Sequence, residues 1–479
     1  MITPDNYEHR ACNDPLLRKG GSVQRMSFKF KRLGIAYLLI TAAVLCPSAL
    51  SQAVTATGIA NTQCDIKLVL GTPGINHPPV PPAGRIRIMP TRYGDLEKTI
   101  IGYEKTHLPL VKYDGGVFGP AGAADDLGSF YLIPQIAVRL GLPLRRSIDL
   151  FYITVLLAAL GIGILGCLIA LRTNIAKIWA ITELVLVTAL AYSLGDVYIL
   201  LAAVAMSVVP LALYVSNTPK LTITVPLMFG SGLAISIANS IRGHSGTGVL
   251  LFLFCLVSTR FIGSSYRKAA IVLLLLCGLV LPSLYLRHLI QERNNFLRSV
   301  CPDYPTVLPA HAFWHSAYIG FGYLSNEVVT SYNDQVAYDK VQSLVPGTLY
   351  ESPEYQHILR RQVWLLVRQH PQLVLYTLAA KLGVICSMFL VFANVGLIVA
   401  KRVRKPLGLE LPFWIGIVFN ALFGILVIPS VAYLLGFITF ATLYGAVSVD
   451  CALCDKLSTS PVSKLLRVEL ASPRVGHSA

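Results

Sequence analysis

Apolar segments of roughly 20 residues, the length of a membrane-crossing helix, recur along most of the chain and are separated by short polar connections. Two polar stretches, loop one (51–148) and loop two (287–371), are much longer than the other connections. The pattern predicts an all-α polytopic membrane protein with about ten transmembrane helices and two long outward-facing loops that carry interfacial helices. The predicted spans are 33–50, 149–171, 177–195, 197–215, 221–239, 247–259, 269–286, 372–400, 411–428 and 430–449.

The composition is typical of a chain that the lipid bilayer solvates. Of the 479 residues, 54% are hydrophobic and 13% are charged, and the mean hydropathy is +0.62. A water-soluble protein of this size carries more charge on its surface. The net charge of +16 would suit nucleic acid, but surplus cations in a hydrophobic chain more often orient it and contact lipid headgroups. We therefore expect membrane lipids, and no nucleic acid, as partners.

Basic residues concentrate at every second connection, which orients the chain. The positive-inside rule places these connections and both termini in the cytoplasm, and both long loops on the opposite side. The expected organisation is a basic tail (1–32), a transmembrane domain (33–449) and a cytoplasmic tail (450–479), in what we expect to be a bacterial inner (plasma) membrane. The first span also fits a cleaved signal peptide, the more so if translation begins at Met26. The orienting residues are Arg18, Lys19, Arg25, Lys29, Lys31, Arg32, Arg172, Lys177, Lys220, Arg260, Arg267, Lys268, Lys401, Arg402, Arg404 and Lys405.

Loop one contains an acidic pair, Asp125 and Asp126, directly ahead of an apolar run. We expect residues 127–140 to form a short helix at the membrane interface, broken by Pro134. Two roles for the pair stay open. Carboxylates at a helix start cap exposed N–H groups and complement the helix dipole, or they perform chemistry at the membrane face. The residues expected to anchor the helix in the interface are Phe130, Tyr131 and Arg139.

Loop two concentrates aromatic and polar side chains. Rings pack on a sugar face while amides and carboxylates bind hydroxyl groups in pairs, so this mixture predicts sugar or acceptor binding. An ordinary folded extracellular cap would have the same composition. His311 and His315 are four residues apart and could hold zinc on a helix, but no third ligand is obvious. The candidate sugar- and acceptor-binding residues are His311, Trp314, His315, Tyr323, Asn333 and Asp334.

Three basic or ionisable residues are candidates for binding a phosphate group of a donor. Arg242 and His244 occupy a Gly-containing connection, where a guanidinium and backbone N–H groups can hold a phosphate. Lys381 lies within a predicted span, where an ionisable group usually faces a bundle interior or a wet cavity. Snorkelling to the membrane surface is the alternative for both Arg242 and Lys381.

Two pairs of cysteines stand out from the ten in the chain. Cys64 and Cys301 lie on the two outer loops, where an oxidising exterior would let them form a disulfide bond. Cys451 and Cys454 form a CxxC in the predicted cytoplasmic tail, which is either incidental or a palmitoylation site. The sequence contains no P-loop, no GxGxxG after a strand and no GxSxG, so ATP-driven transport and serine hydrolysis lose support.

The layout resembles the GT-C superfamily of integral-membrane glycosyltransferases, which take sugars from polyprenyl-phosphate donors. The resemblance covers the topology over most of the chain, with the segment 124–131 around Asp125 and Asp126 as the counterpart of the family's acidic motif. It implies that Asp125 or Asp126 acts as the general base on an acceptor hydroxyl, or holds a divalent cation (Mg or Mn). Arg242, with Lys381, would then bind the phosphate of a lipid-linked sugar substrate.

Two other classes of function remain open. A polymerase or ligase of surface polysaccharide would share the outer loops and the lipid-linked substrate. A secondary transporter of a lipid-linked or small polar substrate should show internal symmetry and broken helices at matching positions of two halves, and the sequence shows neither clearly.

Overall fold

The chain folds as a bundle of long apolar helices with smaller elements gathered at one end. Fourteen α-helices lie in the described part of the chain, and eight of them are long and apolar enough to cross a membrane. The prediction of an all-α polytopic membrane protein is confirmed. The residues described by this computed structural model are 90–122, 126–195, 197–218, 220–261, 264–302, 304, 313–350, 352–403 and 405–459.

The described part of loop one contains two helices and a hairpin. The antiparallel hairpin pairs Val111 with Pro120 and Asp114 with Val117, and it packs on the bundle through Phe118, whose ring centroid lies 5.4 Å from that of Phe296. The elements are α1 (Pro90–Thr106), β1 (Val111–Asp114), β2 (Val117–Pro120) and α2 (Leu127–Leu140).

In the described part of the chain, nine helices make the bundle and run back and forth across it. We call the end that carries loop one and loop two the loop end, and the opposite end, which holds the Arg- and Lys-containing connections, the basic end. Which end faces the cytoplasm stays a prediction. The helices are α3 (Leu144–Ala170), α4 (Asn174–Leu194), α5 (Ile199–Ser216), α6 (Leu221–Ile241), α7 (Thr247–Thr259), α8 (Ser265–Val300), and, after loop two, α12 (Pro371–Arg402), α13 (Leu407–Leu426) and α14 (Leu435–Thr459).

Loop two has a small core of its own. Tyr318, Val341, Tyr355 and Leu359 are among the side chains buried there. Its elements are α9 (Phe313–Gly320), a 3-10 turn (Phe321–Tyr323), α10 (Asp334–Leu344) and α11 (Pro353–Gln369).

Glycines let several helices approach one another closely. Gly232 of α6 and Gly278 of α8 face each other's backbones, and a Cβ atom on either would overlap the carbonyl oxygen of Leu275 or Phe229. Small residues at such crossings increase van der Waals contact between membrane helices, where burial from water provides little driving force.

The structure extends or revises several sequence-based boundaries. The span at 33–50 lies outside the described residues, and α7 is a short apolar helix of 13 residues. Helix α8 has 36 residues and is therefore about 54 Å long, so its last turns extend beyond a hydrocarbon core of about 30 Å. Helix α14 continues to Thr459, and within it the buried carboxylate of Asp450 accepts hydrogen bonds from the backbone N–H groups of Arg172 and Thr173.

The expectation for α2 was wrong in two respects. The helix continues through Pro134, and Phe130 and Tyr131 are buried, at 4% and 7% exposure. The Tyr131 hydroxyl lies 3.0 Å from that of Tyr285 on α8. These two rings therefore fix α2 against the bundle instead of anchoring it in the lipid interface.

Cys301 follows α8 and is disulfide-bonded. Because Cys64 lies outside the described residues, its pairing with Cys301 stays a prediction. Cys451 and Cys454 lie in α14 and are reduced.

Candidate functional site

Arg242 directs its side chain across the loop end of the bundle. It ends α6, and its Nη2 donates a hydrogen bond to the Tyr198 hydroxyl at 2.8 Å. The connection that follows is closed by the Gly246 N–H, which donates to the Asn239 side-chain oxygen at 2.7 Å. A guanidinium held by a tyrosine in this way is fixed in direction, whereas a snorkelling arginine is mobile.

Three tyrosines connect Arg242 to loop two. The rings of Tyr198 and Tyr433 have centroids 4.4 Å apart, and the Tyr433 hydroxyl lies 3.2 Å from the Tyr332 hydroxyl. Burial is the main cause that raises the pKa of Tyr332, and its interactions with Tyr433, Tyr198 and Asp334 raise it further. The phenol of Tyr332 is therefore neutral at physiological pH and is available as a hydrogen-bond donor.

Helix α2, which follows Asp126, packs closely against the end of α6, which precedes Arg242. A Cβ atom on Gly128 would overlap the Ser240 side chain and the backbone of Ile241. Any residue larger than glycine at position 128 would push the start of α2 away from the end of α6. Gly128 is thus packed against Ser240 and Ile241.

The side chain of Asp126 does not cap α2. Asp126 occupies the N-cap position without a side-chain capping bond. Its Oδ2 instead lies 3.5 Å from Nη2 of Arg92 in α1, and the two side chains are 5% and 22% exposed, respectively. The capping role left open by the sequence is therefore replaced by a buried ion pair.

Asp334 and His315 form a second carboxylate centre on loop two. Asp334 is the first residue of α10, and its Oδ1 lies 3.1 Å from His315 Nε2. The other ring nitrogen of His315 lies 2.8 Å from the Tyr355 hydroxyl. An ionised Asp334 accepts from Nε2–H, and in that tautomer Nδ1 accepts from the Tyr355 O–H. The imidazole, which is 3% exposed, is thus held at both nitrogens.

The two centres lie within electrostatic range of each other. A hydrogen bond from His315 is the main cause that lowers the pKa of Asp334; desolvation opposes this shift, and electrostatic interactions with His315, Arg242 and Arg92 add to it. Yet the Asp334 side chain is 70% exposed. Asp334 is thus exposed to solvent and interacts electrostatically with both Arg92 and Arg242. We call Arg92, Asp126, Arg242 and Asp334, which are connected by the Arg92–Asp126 ion pair and by these electrostatic interactions, the loop-end cluster.

Other residues selected from the sequence lie elsewhere or have structural roles. The Asn333 side chain caps α10 by accepting from the Gln335 N–H. His244 is exposed and in the left-handed region, with φ 66°, and Tyr323 ends the 3-10 turn. Asp125 and His311 lie outside the described residues.

Trp314 and Lys381 line an apolar cavity of about 250 Å³ on the other side of α9, together with Phe313, Trp364 and Leu378. The Lys381 ammonium donates to the carbonyl oxygens of Ile425 and Val427, at 3.0 and 2.7 Å. Lys381 therefore satisfies the last carbonyl groups of α13, and the structure does not bring it into the loop-end cluster.

The residues around Asp126 do not suit a divalent cation. In the described part of the chain, no three His, Cys, Asp or Glu side chains are grouped to hold a metal ion. The Asp126 carboxylate is already paired with a guanidinium, and Mg²⁺ or Mn²⁺ prefers several oxygen ligands. We derive no catalytic step through a metal.

Arg92, Tyr198 and Tyr433 belong to the site but were not selected from the sequence. Arg92 lies in the first turn of α1, where the helix dipole disfavours a cation, so this position was an available indication that it has an anionic partner. The two tyrosines lie in short connections between helices, for which the sequence prediction rested on charged residues alone.

Comparison of the chain with protein-family models, curated proteins and solved structures gives no significant match.

Proposed function

We propose that the chain is an integral-membrane glycosyltransferase that moves a sugar from a polyprenyl-phosphate donor to an acceptor hydroxyl at the loop end. The observation that carries the proposal is the loop-end cluster, in which two guanidinium groups and two carboxylates meet at one end of an apolar bundle. Guanidinium groups bind phosphate oxygens in pairs. Carboxylates take protons from hydroxyl groups.

The donor phosphate binds between Arg242 and Arg92 in this proposal. Arg242 is already aimed by its bond to Tyr198, so little side-chain entropy is lost when a phosphate binds. The rings of Tyr198, Tyr332 and Tyr433 offer faces and hydroxyl groups for the sugar. The isoprenoid tail extends along the apolar surface of the helices.

The reaction is a displacement at the anomeric carbon. The acceptor oxygen bonds to that carbon, and the phosphate oxygen leaves with the electron pair of the broken bond. The two guanidinium groups stabilise the charge that develops on the leaving phosphate. One carboxylate of the cluster, Asp126 or Asp334, takes the acceptor proton.

Binding of farnesyl phosphate, a short prenyl monophosphate, tests the donor site. We expect it to raise the melting temperature of the purified chain in detergent micelles. Arg242→Gln should weaken its binding by about 10- to 100-fold, because a charge-assisted hydrogen bond contributes about 1.5–3 kcal/mol. Arg298→Gln is the matched control, since Arg298 is exposed near the end of α8.

Two comparisons identify the source of any effect. Farnesol has the same tail without the phosphate, and inorganic phosphate has no tail. Equal stabilisation by farnesol and farnesyl phosphate, or equal affinity of the Arg242→Gln and Arg298→Gln variants, would contradict the proposed donor site.

One observation favours a secondary transporter as the second candidate. Helix α12 is broken at Asn394 (φ 36°, ψ −126°), and the Asn394 side-chain N–H donates to Glu183 of α4 at 2.9 Å. Broken helices and carboxylates within the membrane are features of transporter sites. A transporter would cleave no donor, and Glu183→Gln, rather than Arg242→Gln, would abolish its activity. A polysaccharide polymerase or ligase would use the same loop-end cluster with a larger acceptor.

A further inference from the structure

The two carboxylates of the loop-end cluster differ in their access to a substrate. Asp126 is 5% exposed and is paired with Arg92. Asp334 is 70% exposed, and its Oδ1 is occupied by His315. Among the described residues, no hydrogen-bond or ion-pair partner contacts the other oxygen, Oδ2, so an acceptor hydroxyl can approach Asp334 there. To reach Asp126 it would have to break a buried ion pair, which is costly.

His315 fixes the position of the Asp334 carboxylate. The imidazole is held by Tyr355 at Nδ1 and stacks on the Tyr355 ring, with centroids 5.9 Å apart and planes at 26°. The ring of Tyr350 packs edge-on against His315, with centroids 5.6 Å apart. A base must stay within hydrogen-bond reach of the proton that it removes, so this support contributes directly to catalysis.

We infer that Asp334 is the catalytic base, which takes the proton of the acceptor hydroxyl, and that His315 is the positioning residue that holds it. This inference rests on the proposed function and deepens it. As the acceptor oxygen bonds to the anomeric carbon, its proton moves to Oδ2 of Asp334. The bond between that carbon and the phosphate oxygen breaks, and the prenyl phosphate leaves as an anion beside Arg242. The reaction consumes no other reactant.

Donor binding would activate this base. In the chain alone, Arg242 and Arg92 contribute to the lowering of the Asp334 pKa, after the larger effect of His315, and a carboxylate with a lowered pKa is a weak base. A bound phosphate anion cancels part of the positive field of the two guanidinium groups. The pKa of Asp334 then rises, and Asp334 becomes a stronger base once the donor is in place.

A purely structural role for Asp334 makes a different prediction. An acidic residue in the first turn of a helix also stabilises the helix dipole, and Asp334 is such a residue in α10. If that were its role, its removal would loosen loop two, and donor binding and donor cleavage would both decline. Glu354 is the corresponding first-turn acid of α11 and is exposed, so Glu354→Gln is the matched control.

The test uses the purified full chain and farnesyl phosphates that carry glucose, galactose, mannose, N-acetylglucosamine, arabinose or ribose. Release of free sugar reports transfer to water. We expect Asp334→Asn to lower kcat by about 100-fold or more, with KM changed by less than about threefold. Farnesyl phosphate should bind this variant at least as tightly as the wild type, because a negative charge near Arg242 and Arg92 has been removed.

Variants of His315 test the positioning role. Gln at position 315 can replace the distal N–H donor, so His315→Gln should retain a kcat about tenfold higher than that of His315→Ala. Asp334→Glu, which keeps the charge but moves the carboxylate by one methylene group, should fall between the wild type and Asp334→Asn. Equal kcat values for the two His315 variants would overturn the positioning role.

The possible failures are distinguishable. If the wild type cleaves none of the six donors, the proposed function fails, and this inference fails with it. If the wild type is active and Asp334→Asn matches Glu354→Gln, the proposed function stands and the base assignment is overturned. Loss of both cleavage and farnesyl phosphate binding in Asp334→Asn would also overturn the assignment, because a structural role then accounts for the loss.

Discussion

The ion pair between Arg92 and Asp126 allows a quantitative test of what holds loop one on the bundle. The two charged atoms lie 3.5 Å apart, and the side chains are 22% and 5% exposed. Two unit charges at that distance attract each other by about 5 kcal/mol at an effective dielectric constant of about 20. Desolvation of the buried carboxylate offsets most of this attraction, so we expect a coupling free energy of about 1–2 kcal/mol.

A double-mutant cycle with Arg92→Gln and Asp126→Asn, followed by equilibrium unfolding in detergent micelles, measures this coupling. The control cycle uses Lys112 and Asp95, which are also in loop one, with a charge separation of 3.8 Å and with Asp95 45% exposed. Its coupling should be about 0.5 kcal/mol or less, because exposed pairs are screened by water.

Equal coupling in the two cycles would refute the expectation that burial strengthens the Arg92–Asp126 pair. If the side chain of Asp126 instead capped α2, a third result would be expected. Asn caps as well as Asp does, so Asp126→Asn alone would then cost almost no stability. A substantial loss for this single variant that is reduced when Arg92 is also replaced would exclude capping.

Two further predictions concern packing and pH. Gly128→Ala should lower the melting temperature and weaken farnesyl phosphate binding, because the new methyl group overlaps Ser240 and separates α2 from α6. The control is Gly94→Ala, which should be neutral or stabilising because nothing lies within 4 Å of the added Cβ atom. Because the folded-state pKa of Asp334 is lowered, the stability that its charge provides should be present above the ordinary aspartate pKa of about 4 and be lost as the pH falls through the lowered value. The difference in melting temperature between wild type and Asp334→Asn should therefore shrink between about pH 5 and pH 2, and a constant difference over that range would contradict it.

The membrane helices were predictable because their cause is local in sequence. A backbone in lipid must satisfy its hydrogen bonds within the segment, so each span needs an apolar run of sufficient length. The position of α2 inside the bundle could not be predicted in this way. Its run is apolar whether it lies at the lipid interface or inside the bundle. The contact of Gly128 with Ser240, which brings α2 inside, joins residues that are 112 positions apart.

The site was predictable in its polar residues but not in its pairings. Asp126, Arg242, His315 and Asp334 could be selected from the sequence because polar groups near a membrane face are costly unless they are satisfied. Their partners come from distant parts of the chain. Arg92 in particular lies in loop one at a position that the sequence analysis did not single out, and only the fold of that loop shows that it meets Asp126.

Arg242 and Asp334 are held in place by different parts of the fold. Arg242 is fixed by Tyr198 within the bundle, while Asp334 is fixed by His315 within the separate core of loop two. The Tyr332–Tyr433 hydroxyl pair is one of the described contacts between the two parts. One neutral hydrogen bond contributes about 1 kcal/mol, which is small compared with the cost of disrupting either core. The distance between Arg242 and Asp334 therefore depends on how loop two packs on the bundle.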